Sequence, residues 1–174
     1  MLKGNFNLKI SVVLIVASFF VGFKTNEFIS SNNTPRATGL GGVFFKSKNP
    51  QELKKWYAEN LKLNTNPYGA VFEWHQGGDS TKKGFSQWSP FKESTTYFQP
   101  SEKDFMINYR VVGLEQLLAR FKTNGVTILD TIERYDYGNF LHVMDPEGNK
   151  IELWEPNDQA YEKMGKDMQL KTTF

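Results

Sequence analysis

The chain has 174 residues, 39% hydrophobic and 23% charged, with 15% aromatic residues and a formal net charge of +2. So much aromatic surface excludes a solvated, disordered chain, and collagen-like and coiled-coil compositions are excluded with it. A charge balance this near zero leaves no electrostatic footprint for nucleic acid. There is no cysteine, so disulfides, thiolate metal ligands and cysteine nucleophiles drop out. The two histidines, His75 and His142, narrow the metal and acid–base chemistry open to the chain.

Residues 1–23 read as a signal peptide or an N-terminal membrane anchor. Lys3 and Lys9 flank an uncharged apolar run from Ile10 to Phe23. A signal-peptide core has this length, whereas a spanning helix takes about 20 apolar residues. Phe19, Phe20 and Phe23 occupy the obvious cleavage positions, so a cleaved signal and an uncleaved anchor both stay open. Either one places the remainder outside the cytoplasm, periplasmic or secreted, and an uncleaved segment would hold it at the membrane. Residues 24–36, with Ser30-Ser31-Asn32-Asn33-Thr34-Pro35, read as a flexible tether.

From Ala37 the chain repeats itself. Gly42 to Lys46 is a short apolar strand, and Asn49-Pro50-Gln51-Glu52 carries the capping chemistry of a helix start. Leu53, Trp56, Tyr57 and Leu61 follow at helical spacing and are expected to form its buried stripe. A shift of 64 residues repeats the pattern: Val43, Phe45, Lys46, Leu53 and Tyr57 correspond to Ile107, Tyr109, Arg110, Leu117 and Phe121. Met106 to Val111 is then a strand and Leu114 to Thr123 a helix, stopped by Gly125. Ala70 to His75 and Phe85 to Ser89 follow as strands in the first unit. Val126 to Leu129, Asn139 to Met144 and Lys150 to Glu155 follow in the second, with Asp145 to Asn149 as a hairpin turn. Trp88-Ser89-Pro90 and Trp154-Glu155-Pro156 close the two units at an offset of 66. The expected fold is α+β: two βαβββ modules forming one strongly curved mixed sheet with helices outside. The domain spans residues 37–157, and a tail, 158–174, follows. Gln159, Ala160, Tyr161, Met164 and Met168 give that tail loose helical spacing, open to packing on the domain, on another subunit, or to fraying.

Gly-Gly-Val-Phe-Phe-Lys-Ser-Lys-Asn-Pro with Trp56-Tyr57, Met-Ile-Asn-Tyr-Arg-Val, and Met-Asp-Pro-Glu-Gly-Asn-Lys-Ile-Glu-Leu-Trp-Glu-Pro together resemble the vicinal oxygen chelate superfamily. That superfamily includes glyoxalase I, extradiol dioxygenases, fosfomycin-resistance transferases and bleomycin-resistance proteins. The resemblance covers roughly Thr38 to Asn157 and speaks to fold far more than to reaction. It also implies that a homodimer is a common assembly. The metal-binding members place one ligand on each of four strands, and the resemblance carries those positions to Gly42, Ser86, Met106 and Glu152. Glycine has no ligand atom, serine is a poor ligand and methionine is soft, so only Glu152 is left; no metal and no cofactor are expected.

Strand alternation sorts the side chains. Ile151 and Leu153 belong under a helix, which turns Glu152 and Trp154 to the concave side. The same rule and the repeat place Phe44, Glu73, His75, Trp88, Asn108, Arg110, Phe140, His142 and Trp154 on that side. This is a candidate pocket with aromatic walls and charges of both signs. Arg110 is suited to a ligand carboxylate or phosphate, or to a salt bridge with Glu73 or Glu152. Trp88 and Trp154 serve as stacking walls or as bulk that closes the sheet. Three functions follow as expectations: binding of a small organic ligand; metal-independent isomerase, lyase or hydrolase chemistry, with Glu152 as base and His142 as its partner; or a structural scaffold.

Overall fold

The computed structural model describes residues 34–168 and the short strand Thr172–Thr173, and from Pro35 onward the chain forms one unit. The N-terminal apolar run and its tether lie outside the described residues. Among the described residues no helix is long and apolar enough to cross a membrane.

The first module runs through β1 (Arg36–Ser47), α1 (Pro50–Leu61), β2 (Thr65–Asn66), β3 (Gly69–His75) and β4 (Lys83–Lys92). The second runs through β5 (Phe105–Val112), α2 (Leu114–Asn124), β6 (Thr127–Ile128), β7 (Glu133–Tyr135), β8 (Gly138–Met144) and β9 (Lys150–Pro156). A third helix, α3 (Asp158–Asp167), and β10 (Thr172–Thr173) follow. The strands form one curved mixed sheet ordered β10-β3-β4-β1-β5-β9-β8-β6, with β2 on β3 and β7 on β8. The modules meet edge to edge where β1 runs antiparallel to β5, while β4 and β9 each lie parallel to the first strand of their own module.

Local chemistry accounts for these elements. The Asn49 side chain accepts from the Glu52 amide at 3.2 Å, capping α1 at its Pro50 start. Gly125 ends α2 in the left-handed region. Asp145 accepts from the amides of Glu147 and Asn149, both at 2.9 Å, which folds the turn between β8 and β9.

Under α2 the core is built as alternation requires. Leu114 and Leu117 meet Val111, Leu141, Val143 and Leu153, with Tyr109, Phe121 and Ile151 at the margin. The stripe on α1 departs from expectation: Trp56 and Leu61 are 53% and 63% exposed. Tyr57 and the buried Lys54 turn inward instead. The Lys54 ammonium donates to the carbonyls of Asn66 and Pro67, at 3.2 and 2.7 Å, so its stem can cover apolar surface while its head stays bonded. The tail also departs from a frayed terminus, because α3 is capped by Asn157 and lies on the sheet face opposite α1 and α2.

Candidate functional site

Strand register brings one row of side chains across the concave face. Gln87 pairs with Gly42, Gly42 with Asn108, Asn108 with Glu152, and Glu152 with His142. Directly opposed residues on neighbouring strands share a face, so this row is contiguous. The next row brings Arg110 beside Trp154 and Trp154 beside Phe140. Both rows carry polar groups out of water: Arg110 is 1% exposed and Glu152 4%, and Asn108 and His142 are also buried.

Glu152 is the hub. Asn108 Nδ2 donates to its Oε1 at 2.5 Å, His142 Nε2 lies 3.0 Å from its Oε2, and the Tyr97 hydroxyl donates to the same oxygen. On its other side His142 Nδ1 meets Asp130 Oδ2 at 2.5 Å, and Asp130 Oδ1 accepts the His142 backbone amide at 2.8 Å. Burial pushes the Glu152 pKa up, but its bonds from His142, Tyr97 and Asn108 outweigh burial and hold it below the ordinary value. Burial likewise opposes charge on His142, yet the two carboxylates win and raise its pKa. His142 thus lies between two carboxylates that favour its protonated form. Burial, then the charge of Glu152, pushes the Tyr97 phenol up, so it stays protonated and donates. Lys150 donates to the Tyr97 carbonyl at 2.7 Å and lies 4.9 Å from its ring centre, pinning the loop that carries this tyrosine. Burial pulls the Lys150 pKa down.

Arg110 forms the second focus. Its guanidinium carbon sits 5.4 Å from the Trp74 ring and 5.1 Å from the Trp154 ring. One nitrogen, Nη2, meets both oxygens of Asp158 at 2.9 and 2.7 Å. Trp154 reaches this position because Gly138 leaves room: a Cβ there would lie 2.3 Å from the indole nitrogen, which donates to the Tyr137 carbonyl. Phe140 stacks on Trp154 with centroids 6.0 Å apart. Two buried atoms in the pair of rows have no partner among the described residues, Asn108 Oδ1 and Arg110 Nε.

No family model matches the sequence, and no curated protein matches it. Solved structures do. Methylmalonyl-CoA epimerase of Streptomyces coelicolor, a variant in complex with 2-nitronate-propionyl-CoA, has a TM-score of 0.52 at 11% identity, over 70% of this chain and 99% of that one. Methylmalonyl-CoA epimerase in complex with methylmalonyl-CoA and NH4+ has the same score and identity, over 70% and 96%. A glyoxalase/bleomycin resistance protein/dioxygenase superfamily member from Vibrio splendidus matches at 13% identity and a TM-score of 0.43, over 70% and 99%. This chain has the vicinal oxygen chelate fold. The likeness is one of architecture, and the residues above have to speak for the site.

The metal positions of the vicinal oxygen chelate fold do not fit a cation here. Gly42 offers no donor. Ser86 does not hold the expected position: it shares the Trp88 face of β4, with its hydroxyl bonded to the Leu40 carbonyl and Trp74 Nε1. By register the counterpart of Glu152 is Ser89, whose hydroxyl donates to the Tyr68 carbonyl. Met106 is sealed among Phe44, Phe91 and Phe98. Among the described residues no group of three or more His, Asp and Glu is arranged to hold a metal ion, since His142 divides its two nitrogens between Asp130 and Glu152.

The sequence-derived candidates separate into two sets. Asn108, Arg110, Phe140, His142, Glu152 and Trp154 come together on the concave face, and Phe44 lies on it in the apolar cluster with Met106. Three others do not join them. Trp88 lies on the outer face, its ring 4.8 Å from Tyr57 of α1 and 5.5 Å from Phe45. Sheet register explains the correction: Val43 pairs with Trp88 as Ile107 pairs with Ile151, so the counterpart of Trp88 is Ile151, not Trp154. An odd slip moves every side chain to the other face. His75 is exposed at the end of β3. Glu73 is held by Lys83 at 3.0 Å, short of the Glu152 cluster.

Two members of the cluster escape sequence reasoning. Tyr97 and Asp130 sit on irregular connections where no periodicity applies. The one signal for the first is the aromatic set Phe91, Tyr97 and Phe98 between the modules. A hollow of about 820 Å³ lies on the opposite face beneath α2, lined by Tyr109, Leu117, Phe121, Ile151 and Leu153 among others. It meets none of the concave polar groups.

Proposed function

We propose that this domain binds a small organic ligand on the concave face of its sheet. The observation that carries the reading is the burial there of Asn108, Arg110, His142 and Glu152 on three adjacent strands, beside the Phe140–Trp154 stack. Buried charges weaken a core unless each is paired, and a cluster of perturbed groups on a concave wall is characteristic of a site. The two epimerase structures, both described with acyl-CoA derivatives, support a small-molecule partner for the fold without naming it for this chain.

A second reading has its own observation. The chain Asp130–His142–Glu152 fixes the imidazole at both nitrogens and leaves Glu152 ionised, an arrangement fit for metal-independent proton transfer by the Glu152–His142 pair. A thermal-shift screen of the full-length protein against a metabolite library tests both. Saturable stabilisation that Trp154→Ala abolishes supports the pocket. Turnover that persists in chelator and disappears in Glu152→Gln supports the enzyme. No thermal response to any compound, in a folded protein, refutes the pocket, and no turnover of any compound refutes the enzyme. The apolar run Ile10 to Phe23 further supports an extracytoplasmic, membrane-tethered domain. Protease accessibility of the domain in intact cells tests that placement: protection equal to a cytoplasmic marker would defeat it.

A further inference from the structure

We propose that α3 is an internal stand-in for the ligand, and that the ligand is a small carboxylate bearing an aromatic ring, which displaces Asp158 from Arg110 and Tyr161 from Trp154. This rests on the small-ligand reading above and supplies its chemistry.

The helix α3 occupies the place a ligand would take. It lies against Arg110, Trp154, Phe85 and Gln87, the side chains of the concave face, while α1 and α2 cover the other side. A ligand entering this half of the cleft meets α3 before it meets the sheet.

The buried Arg110 guanidinium between two indoles is a built anion site, and its geometry is bought with glycine: a Cβ at Gly39 or Gly84 would stand 3.2 or 2.8 Å from the Trp74 ring. Yet the carboxylate filling it is poorly matched. Both oxygens of Asp158 fall on Nη2, Nη1 has a single long contact of 3.4 Å to the Phe85 carbonyl, and Nε has no partner. A guanidinium presents five donors in a planar fork suited to two parallel bonds. Asp158 hangs from a helix backbone and meets one tine. A free carboxylate has no such restraint.

The helix α3 is loosely held. None of its residues is buried. Apart from the Asp158–Arg110 pair and the Tyr161 ring on Trp154 and Phe85, its attachments are polar: Gln76 to Asp158 at 2.8 Å, Lys83 to Glu162 at 3.0 Å, and the Tyr161 hydroxyl to Gln87 at 3.3 Å. Cavities of about 150 and 300 Å³ flank the helix, and Tyr161 and Met164 line both. Both open to solvent, so this helix rests in a cleft it does not fill.

The displaced side chains specify the ligand. Asp158 and Tyr161 are three residues apart, about 4.5 Å along a helix axis. The Tyr161 ring lies 5.1 Å from Trp154 and 5.3 Å from Phe85. An aryl acid with a two-carbon spacer carries the same pair of groups, and a ring hydroxyl takes the place of the Tyr161 hydroxyl that donates to Gln87.

Isothermal titration of 3-(4-hydroxyphenyl)propanoate into the full-length protein, with hydrogen exchange of residues 158–167, tests this. An intramolecular competitor lowers apparent affinity by the fraction of time the site is open. Asp158→Asn should therefore bind the probe at least tenfold more tightly than the unsubstituted protein. In the unsubstituted protein, saturating probe should speed exchange across α3. Unchanged or slower exchange there, or a folded Asp158→Asn protein that binds no more tightly, overturns the proposal. Probe binding that leaves α3 protected and is lost in Glu152→Gln would refute the stand-in while preserving the small-ligand reading. Absence of probe binding to either protein also refutes it, and the metabolite screen then judges that reading separately.

Discussion

Glu152→Gln isolates the electrostatic core of the site. The change keeps the shape of the side chain and removes the charge that His142, Tyr97 and Asn108 all address. Breaking a buried ion pair from one side costs about 3–5 kcal/mol, because the surviving charge has lost its counterion. Here Asp130 still faces His142 and is partly exposed, and the imidazole can release its proton, so the low end applies: about 3 kcal/mol. For a domain of this size that is a fall in Tm of roughly 10 °C. Linkage gives the pH dependence. His142 is raised above its ordinary 6.5, so its contribution is complete below that pH and is lost as pH rises through the folded value. Glu152 is lowered from its ordinary 4.5, so its contribution is complete above that pH and is lost as pH falls through the folded value. Urea unfolding of the unsubstituted protein should show greatest support from this pair between about 4.5 and 6.5. In Glu152→Gln the acid-side loss should flatten, and the His142 pKa, followed by its ring-proton NMR signal, should drop. A stability loss below about 1 kcal/mol with His142 titrating as before would refute the ion-pair account.

Three further outcomes follow from the geometry. Tyr97→Phe removes one donor from Glu152 and should cost about 1–3 kcal/mol. It should also move the acid-side stability loss to higher pH, because a bond that lowered the Glu152 pKa is gone; an unmoved acid limb in urea titrations would contradict this. Gly41→Ala places a Cβ 1.8 Å from Asn108 Oδ1, so the amide must leave Glu152; calorimetry should register at least the roughly 1–3 kcal/mol typical of overpacking. Trp88→Ala should destabilise by about 3 kcal/mol through the contact with α1, yet leave concave-face ligand binding unchanged. Equal losses of ligand binding in Trp88→Ala and Trp154→Ala would contradict the assignment of Trp88 to the outer face.

Much of the second module can be read from its letters. Ile107-Asn108-Tyr109-Arg110-Val111, Leu141-His142-Val143 and Ile151-Glu152-Leu153 alternate cleanly, and in each the apolar set lies under α2 while the polar set turns to the cleft. β4 gives no such guidance. Ser86-Gln87-Trp88-Ser89 has one large side chain and no alternation, and the shared Trp-x-Pro ending invites an alignment three residues away from the true one. A three-residue error is odd, so it reversed the strand's faces, carrying Trp88 to the cleft and hiding Gln87, which stands in the central row. Tyr97 and Asp130 lie on connections, where contact depends on the closed fold and not on local spacing. The same applies to Asp158: nothing in the spacing of the tail reports that its carboxylate ends on Arg110.

The two copies of the module have diverged in what their concave faces carry, and the asymmetry accounts for where α3 lies. Beside Gln87, concave positions of the first module hold Phe44 and Phe85, and Phe44 is sealed by Phe91, Phe98 and Met106. Those of the second hold Asn108, Arg110, His142 and Glu152. An apolar wall facing a polar one leaves a cleft that water fills poorly on one side and that charges enter at a desolvation cost on the other. A helix with an acidic first turn and an aromatic residue on the next satisfies both walls at once: Asp158 on Arg110, and Tyr161 between Phe85 and Trp154. Any occupant that replaces the helix has to meet the same two demands, so a purely apolar compound would leave Arg110 buried without a counterion, and a purely anionic one would leave the Phe85 wall uncovered.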